Sequence, residues 1–89
     1  EVAYTLDYLG RTYRYLGDAQ KAKQLHEKAL QIKEKYYKKN SIEVAYTLQQ
    51  LGSDYRYLGN AEYAKELHER SLKIKMKYYD ANHIEVAYT

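Results

Sequence analysis

The chain has no cysteine, proline, tryptophan or phenylalanine among its 89 residues. Without cysteine there is no disulfide framework and no thiolate metal site. No apolar run approaches the roughly 18 residues that a membrane span requires. The opening residues lack the pattern of a secretory signal, and the first residue is not Met. Charge of one sign is also missing. Fifteen Lys and Arg are mixed with twelve Asp and Glu for a net charge of +3, which does not by itself imply a nucleic-acid partner. The length suits one small domain whose core is marginal unless its packing is well matched. The residues do not indicate a compartment, and the cytoplasm is the favoured expectation.

Tyrosine takes the whole aromatic share, with 13 copies. Its ring is apolar and its hydroxyl needs a partner, so a chain built on Tyr has large surfaces where core meets solvent. The other positive feature is a period. EVAYTL occupies Glu1–Leu6 and Glu43–Leu48, and EVAYT returns at Glu85–Thr89. Both spacings are 42, since 43 − 1 = 85 − 43 = 42. A fixed period in this range marks a stacked repeat architecture. Residues 1–42 and 43–84 are identical at roughly two thirds of positions. The chain thus reads as two units and the opening of a third at 85–89, a piece of something longer.

Within each unit the apolar residues step by 3 and 4, the spacing of one helix face. Val2, Leu6, Leu9, Tyr13 and Leu16 define a helix A over about 2–16. Val44, Leu48, Leu51, Tyr55 and Leu58 define its copy over about 43–58. Gly17-Asp18 and Gly59-Asn60 follow, a left-handed helix end and then an N-cap. Helix B, over about 19–37 and 61–79, presents Ala22, Leu25, Ala29, Ile32 and Tyr36, or Ala64, Leu67, Ser71, Ile74 and Tyr78. Asn40-Ser41-Ile42-Glu43 predicts a capping box with Asn40 as N-cap, and Asn82–Glu85 repeats it. The expected fold class is all-α, a solenoid of antiparallel helix pairs.

These residues resemble the tetratricopeptide repeat. The carriers are Leu6, Leu9-Gly10, Tyr13, Gly17, Ala22, Ala29 and Leu30, then Leu48, Leu51-Gly52, Tyr55, Gly59, Ala64 and Leu72. Gly10 and Gly52 stand where a small residue lets two helices approach. The usual repeat has 34 residues; this one is longer by 42 − 34 = 8, about two helical turns, and is similar to the repeats of kinesin light chains. It departs from the pattern at Ser71, at His26 and His68 where a bulky aromatic is common, and in lacking the helix-ending proline. The resemblance implies a right-handed superhelix whose A helices line a concave, peptide-binding groove.

Tyr4, Tyr8, Arg11 and Tyr15 step by 4, 3 and 4 on the side of helix A opposite Leu6 and Leu9, with Asp7 and Arg14 at the edge. The second copy offers Tyr46, Gln50, Ser53 and Tyr57, edged by Gln49 and Arg56. The resemblance implies that these twelve residues touch an extended or short helical peptide. Tyr and Arg are the types enriched at interface hot spots. The alternative role is packing of Tyr4 with Tyr46, and Tyr15 with Tyr57, between adjacent A helices. Three Arg against one Asp favour an acidic peptide.

The basic run from Lys33 to Lys39 and its echo from Lys73 to Tyr79 interleave with Tyr as a strand-binding surface would. Acids dilute the charge, and the plainer reading is a solvated lysine face with Tyr36 and Tyr78 in the core; nucleic acid is not expected. His26 and His68 lack companions at metal-ligand spacing and read as half-buried aromatic fillers. No nucleophile–base pair, phosphate loop or carboxylate pair stands out. No catalytic site, metal or cofactor is expected. Two function classes remain: a protein-interaction module binding a peptide on helix A, and a scaffold that self-associates head to tail through uncapped repeat ends.

Overall fold

The computed structural model describes residues 2–80 as four helices: α1 (Val2–Tyr15), α2 (Ala19–Tyr36), α3 (Ile42–Tyr57) and α4 (Ala61–Asp80). The described residues include no strand. Each helix packs on its neighbours in sequence, with a smaller contact between α1 and α3. Residues 85–89, expected to open a third unit, and the second capping box at Asn82 lie outside the described residues.

The turns form as their residues dictate. Gly17 and Gly59 each take φ of +90°, a conformation open to glycine because it has no Cβ. The next amides, of Asp18 and Asn60, fold back onto the carbonyls of Tyr13 and Tyr55 at 2.8 Å. The side chains of Asp18 and Asn60 then cap α2 and α4 by accepting from the amides of Lys21 and Tyr63. The cap of α3 differs from the expected box. Ser41, not Asn40, holds the N-cap position, and its side chain makes no cap hydrogen bond. Its hydroxyl is buried without a partner among the described residues. Its extended backbone instead directs the Ser41 carbonyl to the amides of Val44 and Ala45.

The apolar core sits where α3 meets α2 and α4. Val44, Ala45, Leu48, Leu51, Leu67 and Ile74 form it, with Leu30, Ile42 and Tyr55 packed on its edge. Burying a side chain of the Val or Leu type contributes about 1.5–3 kcal/mol, so α3 is the best-anchored helix. The same residues in α1 are much less covered. Val2 is 65% exposed against 0% for Val44, and Leu9 44% against 3% for Leu51. The difference is positional: α2 covers this face of α3, and no described helix covers it on α1.

Close approach within each pair is set at Gly10 and Gly52. A Cβ on Gly10 would lie 2.6 Å from Nε2 of His26, and one on Gly52 would lie 2.7 Å from Nε2 of His68. Each imidazole therefore rests on a bare patch of the facing A helix.

Helix α2 corrects the sequence reading in two ways. Its fully buried residues are Ala22, His26, Ala29 and Lys33, with Leu25 and Ile32 half-buried. The stripe is rotated because α2 lies against both α1 and α3. Tyr36, expected in the core, is 82% exposed. Lys33 already lies level with Tyr4 and Asp7, so one turn further on Tyr36 falls past the start of α1. Tyr78 is likewise exposed and leans on Tyr79 at 5.0 Å between ring centroids.

Candidate functional site

Three helices meet in a buried polar seam, and it divides the twelve stripe residues into two groups. The seam has two tiers set by one spacing: 14 − 7, 33 − 26 and 54 − 47 all equal 7, two helical turns. In the first tier Lys33 Nζ of α2 lies 2.8 Å from Asp7 Oδ2 of α1, and the two side chains are 1% and 2% exposed. Thr47 of α3 donates its hydroxyl to the same carboxylate at 3.0 Å. Lys33 also donates to the Glu43 carbonyl at 3.2 Å. The rings of Tyr4 and Tyr46 flank its ammonium at 4.6 and 5.2 Å. A buried ammonium needs this full set of acceptors and π-faces, because an unpaired charge would be costly to desolvate.

In the second tier Asp54 of α3 is fully buried. It accepts from Arg14 Nη1 of α1 at 2.9 Å and lies 2.5 Å from His26 Nδ1 of α2. The other ring nitrogen of His26 faces the Asp7 carbonyl at 3.2 Å. Arg14 completes its fork on the side-chain and backbone oxygens of Gln50 at 2.8 and 3.3 Å. Planar guanidinium geometry suits this multiple engagement better than a point charge would.

Asp7, Arg14 and Gln50 therefore belong to the joint between α1, α2 and α3. Asp7 and Gln50 are buried, which removes them from any open face. Tyr4 and Tyr46 are half in the joint: each shows some surface, each covers Lys33, and the Tyr46 hydroxyl accepts from Arg11 at 3.3 Å. Gln49 accepts a hydrogen bond from Lys75. Ser53 is partly exposed. Tyr8, Tyr15 and Tyr57 are open, at 64%, 82% and 64% exposure. Arg11 lies over the Tyr8 ring at 5.6 Å, and Arg56 over the Tyr57 ring at 5.5 Å. Two shallow grooves, of about 340 and 440 Å³, lie on α2 and α4 rather than along the stripe.

Sequence reasoning missed the burial of Lys33, Thr47 and Asp54, and expected His26 to be half-buried where it is fully buried. A usable signal was present. Positions 7, 8 and 12 are Asp, Tyr and Thr, whereas 49, 50 and 54 are Gln, Gln and Asp. With Arg11 against Ser53 these are the breaks in an otherwise repeating helix A, and among them Asp7, Gln50 and Asp54 take part in the seam.

The second pair has a looser version of the same surface. His68 is half-buried on Gly52 without an acid partner among the described residues. Burial lowers its pKa, and the charges of Arg56 and Lys75 lower it further. Tyr55 donates to Glu27 at 3.1 Å and meets Tyr63 edge-on at 4.6 Å. Burial raises its pKa and the Glu27 charge adds to the effect. Ser71, where the first copy has Ala29, satisfies its hydroxyl on the Ala45 carbonyl at 2.8 Å. Among the described residues no three His, Asp or Glu gather as metal ligands, and no helix is long and apolar enough to cross a membrane.

Residues 1–89 match the tetratricopeptide repeat family model over their whole length. The chain belongs to the tetratricopeptide repeat family. Comparison with curated proteins and with solved structures gives no match. Tetratricopeptide repeats generally mediate protein–protein interactions, and this repeat chain presents open side chains suited to such a role. The aromatic–arginine pairs on α1 and α3 are of the kind that anchors partners when desolvated.

Proposed function

We propose that the chain binds an extended or short helical acidic peptide along the A-helix stripe, with Tyr8, Arg11, Tyr15, Arg56 and Tyr57 as the principal contacts. Tyr4, Tyr46, Gln49 and Ser53 form its floor, while Asp7, Arg14 and Gln50 hold that floor in place from behind. The observation that supports this reading is the division itself. The fold uses the seam residues fully and leaves three tyrosines open, two of them beneath arginines. Asp7 is neutralised inside by Lys33, so the open charges of the stripe are cationic. Two helical pairs make a short groove, and the affinity of this length of chain is expected to be weak.

Binding of fluorescent acidic peptides, measured by anisotropy, tests the proposal. Tyr15→Ala combined with Arg11→Ala should weaken binding by at least about tenfold, on the scale of a hot-spot loss, without lowering the melting temperature appreciably. Unchanged affinity would sink this site.

A second reading is supported by the burial difference between copies. Val2 and Leu9 are exposed where Val44 and Leu51 are buried, so α1 offers an apolar face of the type that α2 covers on α3. Chains that stack head to tail through this face form a scaffold. Sedimentation of the chain at rising concentration should then show a growing average mass. A constant monomer would count against stacking.

A further inference from the structure

The surroundings of His26 ask for more protons than a neutral imidazole has. The ring is fully buried, and both of its nitrogens face oxygen. Nδ1 lies 2.5 Å from Asp54 Oδ2 of α3, and Nε2 lies 3.2 Å from the Asp7 carbonyl of α1. Gly10 makes the second contact possible. A Cβ there would lie 2.6 Å from Nε2, so the bare patch on α1 brings the ring within reach of a helix carbonyl. A neutral imidazole has one N–H and one lone pair, whereas an imidazolium donates from both nitrogens. In one neutral tautomer the Nε2 lone pair would point at the Asp7 carbonyl. In the other, the Nδ1 lone pair would point at the Asp54 carboxylate, which is worse. Asp54 does not supply the missing proton, because Arg14 reaches its other oxygen at 2.9 Å and favours the anion.

We propose that His26 is held as an imidazolium in the folded chain, and that the joint between the two helix pairs is a proton-dependent latch. It closes with the proton bound and loosens as the proton leaves. Charges face the ring from all three helices. Arg14 of α1 shares Asp54, Asp7 of α1 turns its carboxylate to Lys33 of α2, and Asp54 of α3 is the carboxylate in contact with the ring. With His26 charged, the seam holds Lys33, Arg14 and His26 against Asp7 and Asp54. Neutral oxygens make up the acceptors that two carboxylates leave short: the carbonyls of Asp7, Glu43 and Gln50, and the Gln50 side chain. Of the three cations, imidazolium is the one that gives up its proton near neutral pH. A neutral ring would set a buried lone pair against an oxygen with no proton between them, which costs stability. The sign follows from the proton count. The folded chain holds a proton that the unfolded chain releases near neutral pH, so stability from this source is full on the acid side and falls as pH rises. His68, 42 positions on, works in the opposite sense. Burial lowers its pKa, as do the charges of Arg56 and Lys75, so its contribution is lost as pH falls. The inference does not rest on the peptide-groove reading.

Nuclear magnetic resonance reads the ring directly. Long-range nitrogen–proton correlation spectra of the isotope-labelled full chain separate an imidazole with two N–H groups from one with a single N–H. At about pH 7.5, where a free imidazole is mostly neutral, His26 should show two and His68 one. The signal that survives both His68→Gln and His83→Gln belongs to His26. That double variant, in which His26 is the remaining histidine, also isolates the linkage in urea denaturation. Its folding equilibrium constant should fall by up to about tenfold per pH unit between about pH 7 and about pH 9, the slope of one proton. A single N–H at His26 would overturn the proposal, whether the ring is simply neutral or the proton sits on Asp54. Stability of the double variant that stays flat or rises over that range would overturn it equally.

Discussion

Asp54→Ala is expected to destabilise the chain by about 3–5 kcal/mol, the cost of removing one member of a buried, hydrogen-bonded ion pair. Asp54 is fully buried and is the acceptor shared by Arg14 and His26. Its loss leaves groups from two helices facing each other without the anion between them. The Gln50 oxygens still hold Arg14, but His26 keeps only the Asp7 carbonyl. A domain of this size has a total stability of about 5–15 kcal/mol, so the loss is a large fraction of the whole. Thermal unfolding followed by circular dichroism should show a fall of more than about 12 °C. Asp54→Asn should cost less, since an amide retains one acceptor. A fall of only a few degrees for Asp54→Ala would mean that solvent already screens the second tier.

Lys33→Met should produce a loss of similar size, about 3–5 kcal/mol, by a different route. Methionine fills the volume of the lysine stem, so the loss reports charge rather than packing. Asp7 would keep Thr47 as a donor but would lose its counter-ion inside a site closed by Tyr4 and Tyr46. Pairing Lys33→Met with Asp7→Leu removes both charges. Replacing a buried ion pair by apolar residues of similar volume is often neutral or stabilising. The double variant should therefore recover most of the loss in urea denaturation, giving a coupling of about 2–3 kcal/mol between the two sites. Additive losses would show that Lys33 and Asp7 act independently.

Much of the fold was legible because its signals are local. The steps of 3 and 4 in each unit, the glycines at 17 and 59, and the Asp and Asn caps each act over a few residues. The bare patches at Gly10 and Gly52 were also readable, although the sequence does not say that an imidazole fills them. The α3 cap was misplaced by one residue because Asn40 and Ser41 are both good capping types. The seam was hidden for another reason. Lys33 sits in a run of lysines and tyrosines that looks solvated, and Asp7 sits at the edge of a polar stripe. Only the relative placement of three helices brings them together, across separations of 26 and 40 residues for Asp7 to Lys33 and Thr47. Of the twelve stripe residues, Asp7 and Gln50 are buried in the joint rather than on the open face. Stripe geometry on one helix cannot separate a residue turned toward the next A helix from one turned toward solvent. Asp7 and Tyr8 are adjacent in sequence, yet one is buried and the other is open.

A buried polar seam carried by α2 joins the two pairs and decides which stripe residues stay on the open face of the A helices. Comparing Lys33→Met with Lys75→Met tests it most directly. The two lysines are the same residue 42 positions apart, but Lys75 is partly exposed and its amine meets the neutral Gln49. Unfolding free energies from urea denaturation should differ by at least about 2 kcal/mol, with Lys33→Met the costlier and Lys75→Met within about 1 kcal/mol of the unaltered chain. Equal losses at the two positions would contradict the seam and return Asp7, Arg14 and Gln50 to the binding face.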